Sequence, residues 1–514
     1  MPGHGTADSI RRRMFLHGTA SYRSRVAALL LCCCLAAIAP GRLPAQQTHP
    51  LTLAEAIHAG QTRSPAAKIA GQNLASAHWD YQAFRTGLLP QLRADVNAPG
   101  LIRTIGQIIQ PDGTIAFRQQ NRAFSSANVT LSQQIAPTGG SIYLSSGLTR
   151  LDVFGTNGYR FYQATPLLVG FSQPIFDFNP LRWQQKIRPV QYEVAERRYL
   201  EALEDAAVDI ADKYFEVYIS QMSLENAQFN LSITDSIHNI SEGRYKVGKI
   251  AENDLLQTEL AFLNAKVQVQ QAEVSIQKAR LELAIALGIE NAEGIVVEHP
   301  EALRLIDVNP GFAIAEAFQN RSAPMDYEAR GLEAESAVAQ ASAGTRPTAS
   351  LTAAYGLNNS DGTIGESYQN LAKQQTASIG FSIPILQWGR GKARVQSALV
   401  QKEQVKTKVQ LEQRMLERDI RFTVMDFLQM QQQLVLASKS DTIAQRRFEV
   451  AKNRYLIGKI DITNLQIAQN EKDNARLGYV RALQSYWVAY FRLRRAALYD
   501  FVNEEKLRLP ELRF

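Results

Sequence analysis

Cysteine occurs only as Cys32, Cys33 and Cys34 in a chain of 514 residues, so beyond residue 45 neither a disulfide nor thiol chemistry is available. Past the same point no apolar run approaches the ~18–20 residues a membrane-crossing helix needs. The later histidines, His49, His58, His78, His238 and His299, are scattered without metal-ligand spacing. No Gly-x-Ser-x-Gly hydrolase elbow is present. Gly389-Arg390-Gly391-Lys392 is a fragment of a phosphate loop that lacks the earlier Gly and the following Ser or Thr, and it reads as a helix-entry turn. No catalytic group, metal or cofactor is expected. A hydrophobic fraction of 45%, 20% charged residues and a mean hydropathy of -0.20 exclude a collagen, a polytopic helical membrane protein and a disordered chain.

What is present begins with charge. The whole chain carries a formal +7, which alone would suggest a nucleic-acid partner. Residues 1–45, however, hold Arg11, Arg12, Arg13, Arg23, Arg25 and Arg42 against Asp8. Their basic stretch leads into an apolar run from Val26 to Ala39 and closes on Leu43-Pro44-Ala45. That is the pattern of a secretory signal peptide, and it reads the same if Met14 is the start. Leu31 ahead of Cys32 argues against a lipid-anchored N-terminus. Without this segment the charge is close to neutral, and no nucleic-acid partner is expected. An exported chain with no membrane helix can remain in a bilayer only as a β-barrel.

The chain is duplicated. Phe171-Ser172-Gln173-Pro174-Ile175 recurs as Phe381-Ser382-Ile383-Pro384-Ile385, and Arg244-Tyr245 with Gly248-Lys249-Ile250 recurs as Arg454-Tyr455 with Gly458-Lys459-Ile460. Both pairs share one offset, which marks an internal repeat. A looser match pairs Ala54-Glu55-Ala56 with Ala315-Glu316-Ala317. The reading is a signal peptide over 1–45, a first repeat over 46–300 and a second over 301–514. Each repeat opens with a helix; Thr52 with Glu55 forms a capping box at the first.

Proline is absent between Pro189 and Pro300 and between Pro384 and Pro510, where Gln, Glu, Ala, Lys and Leu favour helix. Apolar residues recur at sevens: Leu203, Ile210, Val217, Leu224 and Leu231; then Leu260, Val267, Val274 and Leu281; then Ile420, Phe427 and Leu434. This predicts two antiparallel coiled-coil hairpins, over 180–290 and 389–500. Each turns at its Arg-Tyr-x-x-Gly motif, near 241–254 and 451–464, with one arm a helix over about 190–242. The segments 91–175 and 348–385 alternate with period two instead. Leu92, Ala94 and Val96 oppose Arg93 and Asp95, and Leu351, Ala353 and Tyr355 oppose Thr352 and Gly356, giving about six candidate strands. They are apolar on one face and small or polar on the other, as outer-membrane strands are. Six strands cannot close a membrane barrel alone, so several copies must share one.

Signal peptide, duplication, strand pairs and two long hairpins tipped by Arg-Tyr-x-x-Gly together resemble the TolC-like outer-membrane efflux channel family. The fold class expected is mainly α with a membrane β-barrel part: a duplicated unit of strands plus a long helical hairpin, assembling as a trimeric α/β barrel channel. The resemblance implies a homotrimer in outer-membrane lipid, with its helical tunnel in the periplasm. It also implies a periplasmic adaptor and an inner-membrane pump as partners, and passive conduction of what the pump delivers. Family members usually give four strands per chain. The hairpin around 124–151 is therefore extra, and the sequence leaves open whether it widens the barrel or stands outside it.

By the same resemblance the tips dock the adaptor, with Arg244, Tyr245, Gly248, Lys249, Arg454, Tyr455, Gly458 and Lys459 as contacts; the plainer reading makes each Gly a turn former. The acidic gate ring of the family would fall at Asn464 and Ile467, so it is absent there, and the basic lock position is Ile460. Asp254 remains as a gate candidate, paired with Tyr455 of a neighbouring hairpin, or else as a cap of the returning helix. Trp79, Tyr81, Phe84, Trp183 and Trp388 are candidates for an interfacial girdle or for packing where strand meets helix. The rival functions are a type I protein-secretion duct and a pore-free periplasmic coiled-coil scaffold.

Overall fold

A computed structural model describes residues 50–510, apart from 156–157, 293, 301–304, 458 and 461. The segment read as a signal peptide lies outside the described residues. Two short helices come first, α1 (Leu53–Arg63) and α2 (Pro65–Gly87). Thr52 caps α1 as its spacing predicts: its hydroxyl accepts from the Glu55 N–H at 3.2 Å while the Glu55 carboxylate accepts from the Thr52 N–H at 3.0 Å. Four strands follow, β1 (Gln91–Ile109), β2 (Ile115–Ile135), β3 (Gly140–Val153) and β4 (Tyr159–Ile175). Then come the helices α3 (Pro180–Lys246) and α4 (Glu252–Leu287). The second set is α5 (Pro310–Asn320), α6 (Ser322–Ala343), β5 (Thr348–Asp361), the single turn α7 (Ile364–Ser367), β6 (Ala372–Ser382), α8 (Arg390–Leu456) and α9 (Ile462–Ala497). A short hairpin, β7 (Tyr499–Asp500) with β8 (Glu505–Lys506), ends the order.

The repeat is legible in the helix bounds. α3 and α8 each run 67 residues and start 210 residues apart, and α4 and α9 each run 36 residues at the same offset. At ~1.5 Å per residue the longer pair spans about 100 Å. α3 starts at Pro180, about ten residues earlier than the helix read from sequence, and runs through Pro189 with Ile187 and Val194 buried on either side. Ahead of the sheet the offset is 257: α1 and α5 both have 11 residues, and Ala56 and Gly60 correspond to Ala313 and Ala317. The match read as Ala54 with Ala315 is therefore one helical turn out. The difference between the two offsets, 47 residues, falls between β1 and β4 and contains β2 and β3.

All six long strands form one antiparallel sheet in chain order, β1-β2-β3-β4-β5-β6. The extra hairpin is a full member of it, which answers the question the sequence left open. The strands run longer than their alternation suggested, because β1 and β2 stay paired out to Ile109 and Ile115. Hydrogen-bonded partners carry one outer face across the sheet: Leu92, Leu131, Leu144, Val169 and Tyr355 form a single row. On the other face stand Thr130, Ser145, Thr352 and Ser378, with Gly170 accepting the Tyr143 ring, where a Cβ would lie 2.0 Å from a ring carbon.

Below the sheet the helices lie four abreast. Next to the strands the packing order is α2, α3, α6, α8; farther away it is α4, α3, α9, α8. The core is a belt where these layers meet α1 and α5. It is filled by Ile210, Tyr214, Phe215, Ile420, Phe427, Leu483, Tyr486 and Leu493, all buried. Leu203, Ile210 and Val217 of α3 face inward as the heptad predicts. The α4 heptad does not. Leu260, Val267, Val274 and Leu281 are exposed, and the seam toward α3 is Thr258, Ala265, Ala272 and Ala279. Small residues let α4 lie close to α3, and the large side chains one stripe over point away from this chain.

Candidate functional site

Two features of the chain are built to meet something else: the hairpin tips and the flanks. The first tip is a Schellman turn. The Gly248 N–H donates to the Tyr245 carbonyl and the Lys249 N–H to the Arg244 carbonyl, both at 2.8 Å, with Gly248 at φ 72. Lys459 repeats this with an N–H bond of 2.9 Å to the Arg454 carbonyl. Gly458 and the Tyr455 side chain lie outside the described residues. Arg244, Tyr245, Lys249, Arg454 and Lys459 are exposed, so each tip presents cations to solvent.

Asp254 sits in the first turn of α4, exposed, beside Glu252. It is not the helix cap: that position is Ala251, which makes no side-chain cap hydrogen bond. Both acids act on the helix N-terminus through the macrodipole. The proposed Asp254–Tyr455 pair rests on a side chain outside the described residues. Asn464 and Ile467 lie on the opening turns of α9, both exposed. The tips have only small cores of their own: Phe448, Leu465 and Ala468 near the second, and His238 stacked on Phe262 near the first.

The flanks were missed by the sequence reading. One side of the chain carries β1, α2 and α4; the other carries β6 and α8. Leu92 and Val96 on β1, and Ile379 and Phe381 on β6, are 60–74% exposed, whereas Leu131, Leu144 and Val169 inside the sheet are 38–44%. Along α8 a second heptad, Met415, Phe422, Leu436, Ile443 and Val450, with Ile457 just past its end, is exposed beside the buried one of Ile420, Phe427, Leu434 and Phe448. Facing it in character is the α4 stripe on the opposite flank. The link from β6 to α8 adds Ile385 and Trp388, nearly bare. Of the aromatics expected at the strand–helix boundary, Tyr81 stacks on Tyr192 with centroids 5.2 Å apart and Trp183 lies under Lys186; both pack locally. The seven-residue spacing on α8 was readable. The stripe read as the seam, Ile420, Phe427 and Leu434, is the one that faces inward.

The belt between sheet and tips ties the repeats together electrostatically. Arg494 of α9 donates to Glu204 of α3 at 2.6 and 2.8 Å and stands 3.6 Å from Asp500. Burial alone would lower the Arg494 guanidinium, but Glu204 carries it above its ordinary value. Glu201 accepts from the Ser322 N–H at 2.9 Å and hydroxyl at 3.0 Å and pairs with Arg321. Burial opposes its ionisation, yet Arg321 and Ser322 hold its carboxyl below the usual range. Asp500 behaves likewise: its burial is outweighed by the Asn503 and Val502 N–H groups, the Tyr490 hydroxyl and Arg494. Burial pushes the Tyr486 phenol up to about 12. No group of residues able to hold a metal ion, and no helix apolar enough to cross a membrane, occurs among the described residues.

Comparison with known proteins agrees with this architecture. The chain is 31% identical over 115 residues to an uncharacterized protein of Haemophilus influenzae and 27% identical over 133 residues to the toxin and drug export protein A of Aggregatibacter actinomycetemcomitans. These stretches are 21% and 24% of this chain and span only 25% and 29% of the relatives' own lengths. The solved CmeC outer-membrane channel of Campylobacter jejuni shares the fold, with a TM-score of 0.64 at 15% identity over 88% of this chain and 86% of that one. The sequence pattern of the family described as outer membrane efflux protein matches residues 118–289 and 313–497, which take in β2 to α4 and α5 to α9. The chain, a duplicated sheet-and-hairpin protein of the bacterial outer membrane, belongs to the outer membrane efflux protein family.

Proposed function

We propose that three copies of the chain form the exit duct of a tripartite efflux system, passively conducting what an inner-membrane pump and a periplasmic adaptor deliver. The observation that carries this is the pair of open flanks: a sheet apolar on its outer face ends in two unpaired edges, above helices whose outer stripes are apolar too. Unpaired backbone groups have no water to bond in hydrocarbon, so this is one wall of a ring. The cationic tips, Arg244, Lys249, Arg454 and Lys459 with Tyr245, Tyr455, Gly248 and Gly458, form the adaptor-docking end, and Asp254 contributes to its gate. An export role is supported by the relative named for toxin and drug export, whose name also favours protein cargo as the second reading.

The test is mass and company. The detergent-extracted protein is expected to run as a trimer, to open pores in planar bilayers and to co-purify with one adaptor and one pump. A monomer recovered from the periplasmic extract, without pore activity, excludes the duct and leaves a scaffold. The class of pump that co-purifies separates efflux from protein secretion.

A further inference from the structure

We propose that β1 of each copy pairs with β6 of the next, so that the trimer closes an eighteen-stranded barrel as wide as its helical tunnel. This rests on the three-copy reading above and adds the strand count, the partner edges and their register. Start at Leu92 and step across hydrogen-bonded partners: Leu131, Leu144, Val169, Tyr355, Gln375. Leu92 stands one residue from the inner end of β1 at Gln91, and Gln375 seven residues from the inner end of β6 at Ser382. The row slips six residues in the five steps from β1 to β6, and a junction with the inner ends level adds none, which makes six residues over the six steps of one copy. A slip of about one residue per strand, at ~3.3 Å per residue and ~4.8 Å between strands, tilts the strands by about 35°, the tilt of a closed barrel. The sheet is thus already cut as a barrel segment.

Width agrees with tilt. Six strands at that tilt span about 35 Å of circumference, and the four helices abreast beneath them span roughly 32–40 Å at 8–10 Å each. Four strands would span only about 23 Å and would have to gather the helices inward. The inserted hairpin β2–β3 supplies the missing width, and Asn179 of the α3 N-terminus anchors its inner turn through a 2.7 Å bond to the Ala136 carbonyl. Barrels of sixteen to eighteen strands leave an aqueous channel, so the membrane part offers no constriction and control of passage falls to the tips.

The edges also fit each other. β1 leaves the helices and β6 returns to them, so neighbouring copies meet antiparallel, like every other pair in the sheet. Setting Ser382 level with Gln91 places Phe381 opposite Leu92, Ile379 opposite Ala94 and Ala377 opposite Val96, all on the apolar face, with Ser378 opposite Asp95 on the polar one. Phe381 and Leu92 are among the most exposed apolar side chains of the sheet, at 73% and 71%. A second copy is the one occupant that satisfies both edges at once and covers the α4 and α8 stripes with each other.

The chain beyond its signal has no cysteine, which permits a direct experiment on the full-length protein in outer membranes. Ile379→Cys is combined in turn with Leu92→Cys, Ala94→Cys and Val96→Cys and oxidised. Covalent dimers and trimers on a non-reducing gel are expected, strongest for Ala94→Cys, whereas Val129→Cys with Ile379→Cys stays monomeric. Absence of chain-to-chain links in all three pairs overturns the β1–β6 junction. Cryo-electron microscopy of the unmodified trimer then counts strands: eighteen supports the proposal, and twelve overturns it while the trimer stands. A monomer in the same preparation instead sinks the duct reading on which it rests.

Discussion

The belt and the tips are made from the same four helices, yet they are held in different ways. In the belt, Tyr214, Phe215, Phe427 and Tyr486 are fully buried and Arg494 bridges α9 to α3 through Glu204. At the tips, about seven turns or more beyond, Tyr245 and Val247 are exposed and the hairpin is closed by backbone bonds around Gly248. Stability of one long coiled coil is therefore concentrated at one end, while the far end keeps its shape through a turn and a few small contacts. Such a gradient suits the docking and gating role proposed for the tips, since local opening is easiest where buried apolar contact is sparse.

The largest effect is expected from removing the bridge in the belt. Arg494→Ala leaves Glu204 and Asp500 buried without their cation, and losing one partner of a buried pair costs about 3–5 kcal/mol. A large drop in the thermal unfolding midpoint is expected, and an unchanged midpoint would show that the belt does not hold the fold. Acid provides a milder version. The carboxyls of Glu201 and Asp500 titrate lower in the folded chain than when unfolded, so the stability they supply is present above the ordinary carboxylate range near pH ~4 and is lost as pH falls below it through their lower folded values. Thermal midpoints should fall from pH 5 to pH 3, and the fall should shrink in Glu201→Gln.

At the tip, Gly248→Ala forces a side chain into a left-handed conformation, a strain of ~1–2 kcal/mol. Hydrogen exchange is expected to quicken around residues 241–254 while the belt is unaffected, and uniform quickening would mean that tip and belt are one cooperative unit. The smallest effect on folding belongs to Asp254→Ala, an exposed change expected to shift stability by no more than ~0.5 kcal/mol. Its closed-state conductance in planar bilayers should nevertheless rise, and unaltered conductance removes Asp254 from the gate.

Much of this was readable before any coordinates. Period-two alternation in 91–175 and 348–385 marked the strands and their two faces, because successive side chains of a strand must point to opposite faces of the sheet. The Arg-Tyr-x-x-Gly motifs marked both turns, since the Schellman bond pattern needs a residue of positive φ where Gly248 stands. The α4 stripe of Leu260, Val267, Val274 and Leu281 is exposed and not the seam toward α3. Its heptad is genuine, but periodicity states that a face is apolar and not whose face it meets. Asp254, a gate candidate, also admitted the reading of a cap because an acid near a helix start is compatible with several positions, and Ala251 takes the cap without any side-chain signal.

The amino-acid sequence by itself determined the duplication and the alternation of strand and hairpin. Both are properties of local pattern or of counting. Only the tertiary structure decided that the hairpin β2–β3 enters the sheet, that α4 turns its small residues inward, and that β1 and β6 end the wall on opposite sides. Those outcomes depend on which residues, hundreds of positions apart, share one row of hydrogen bonds, and no window along the chain contains that information.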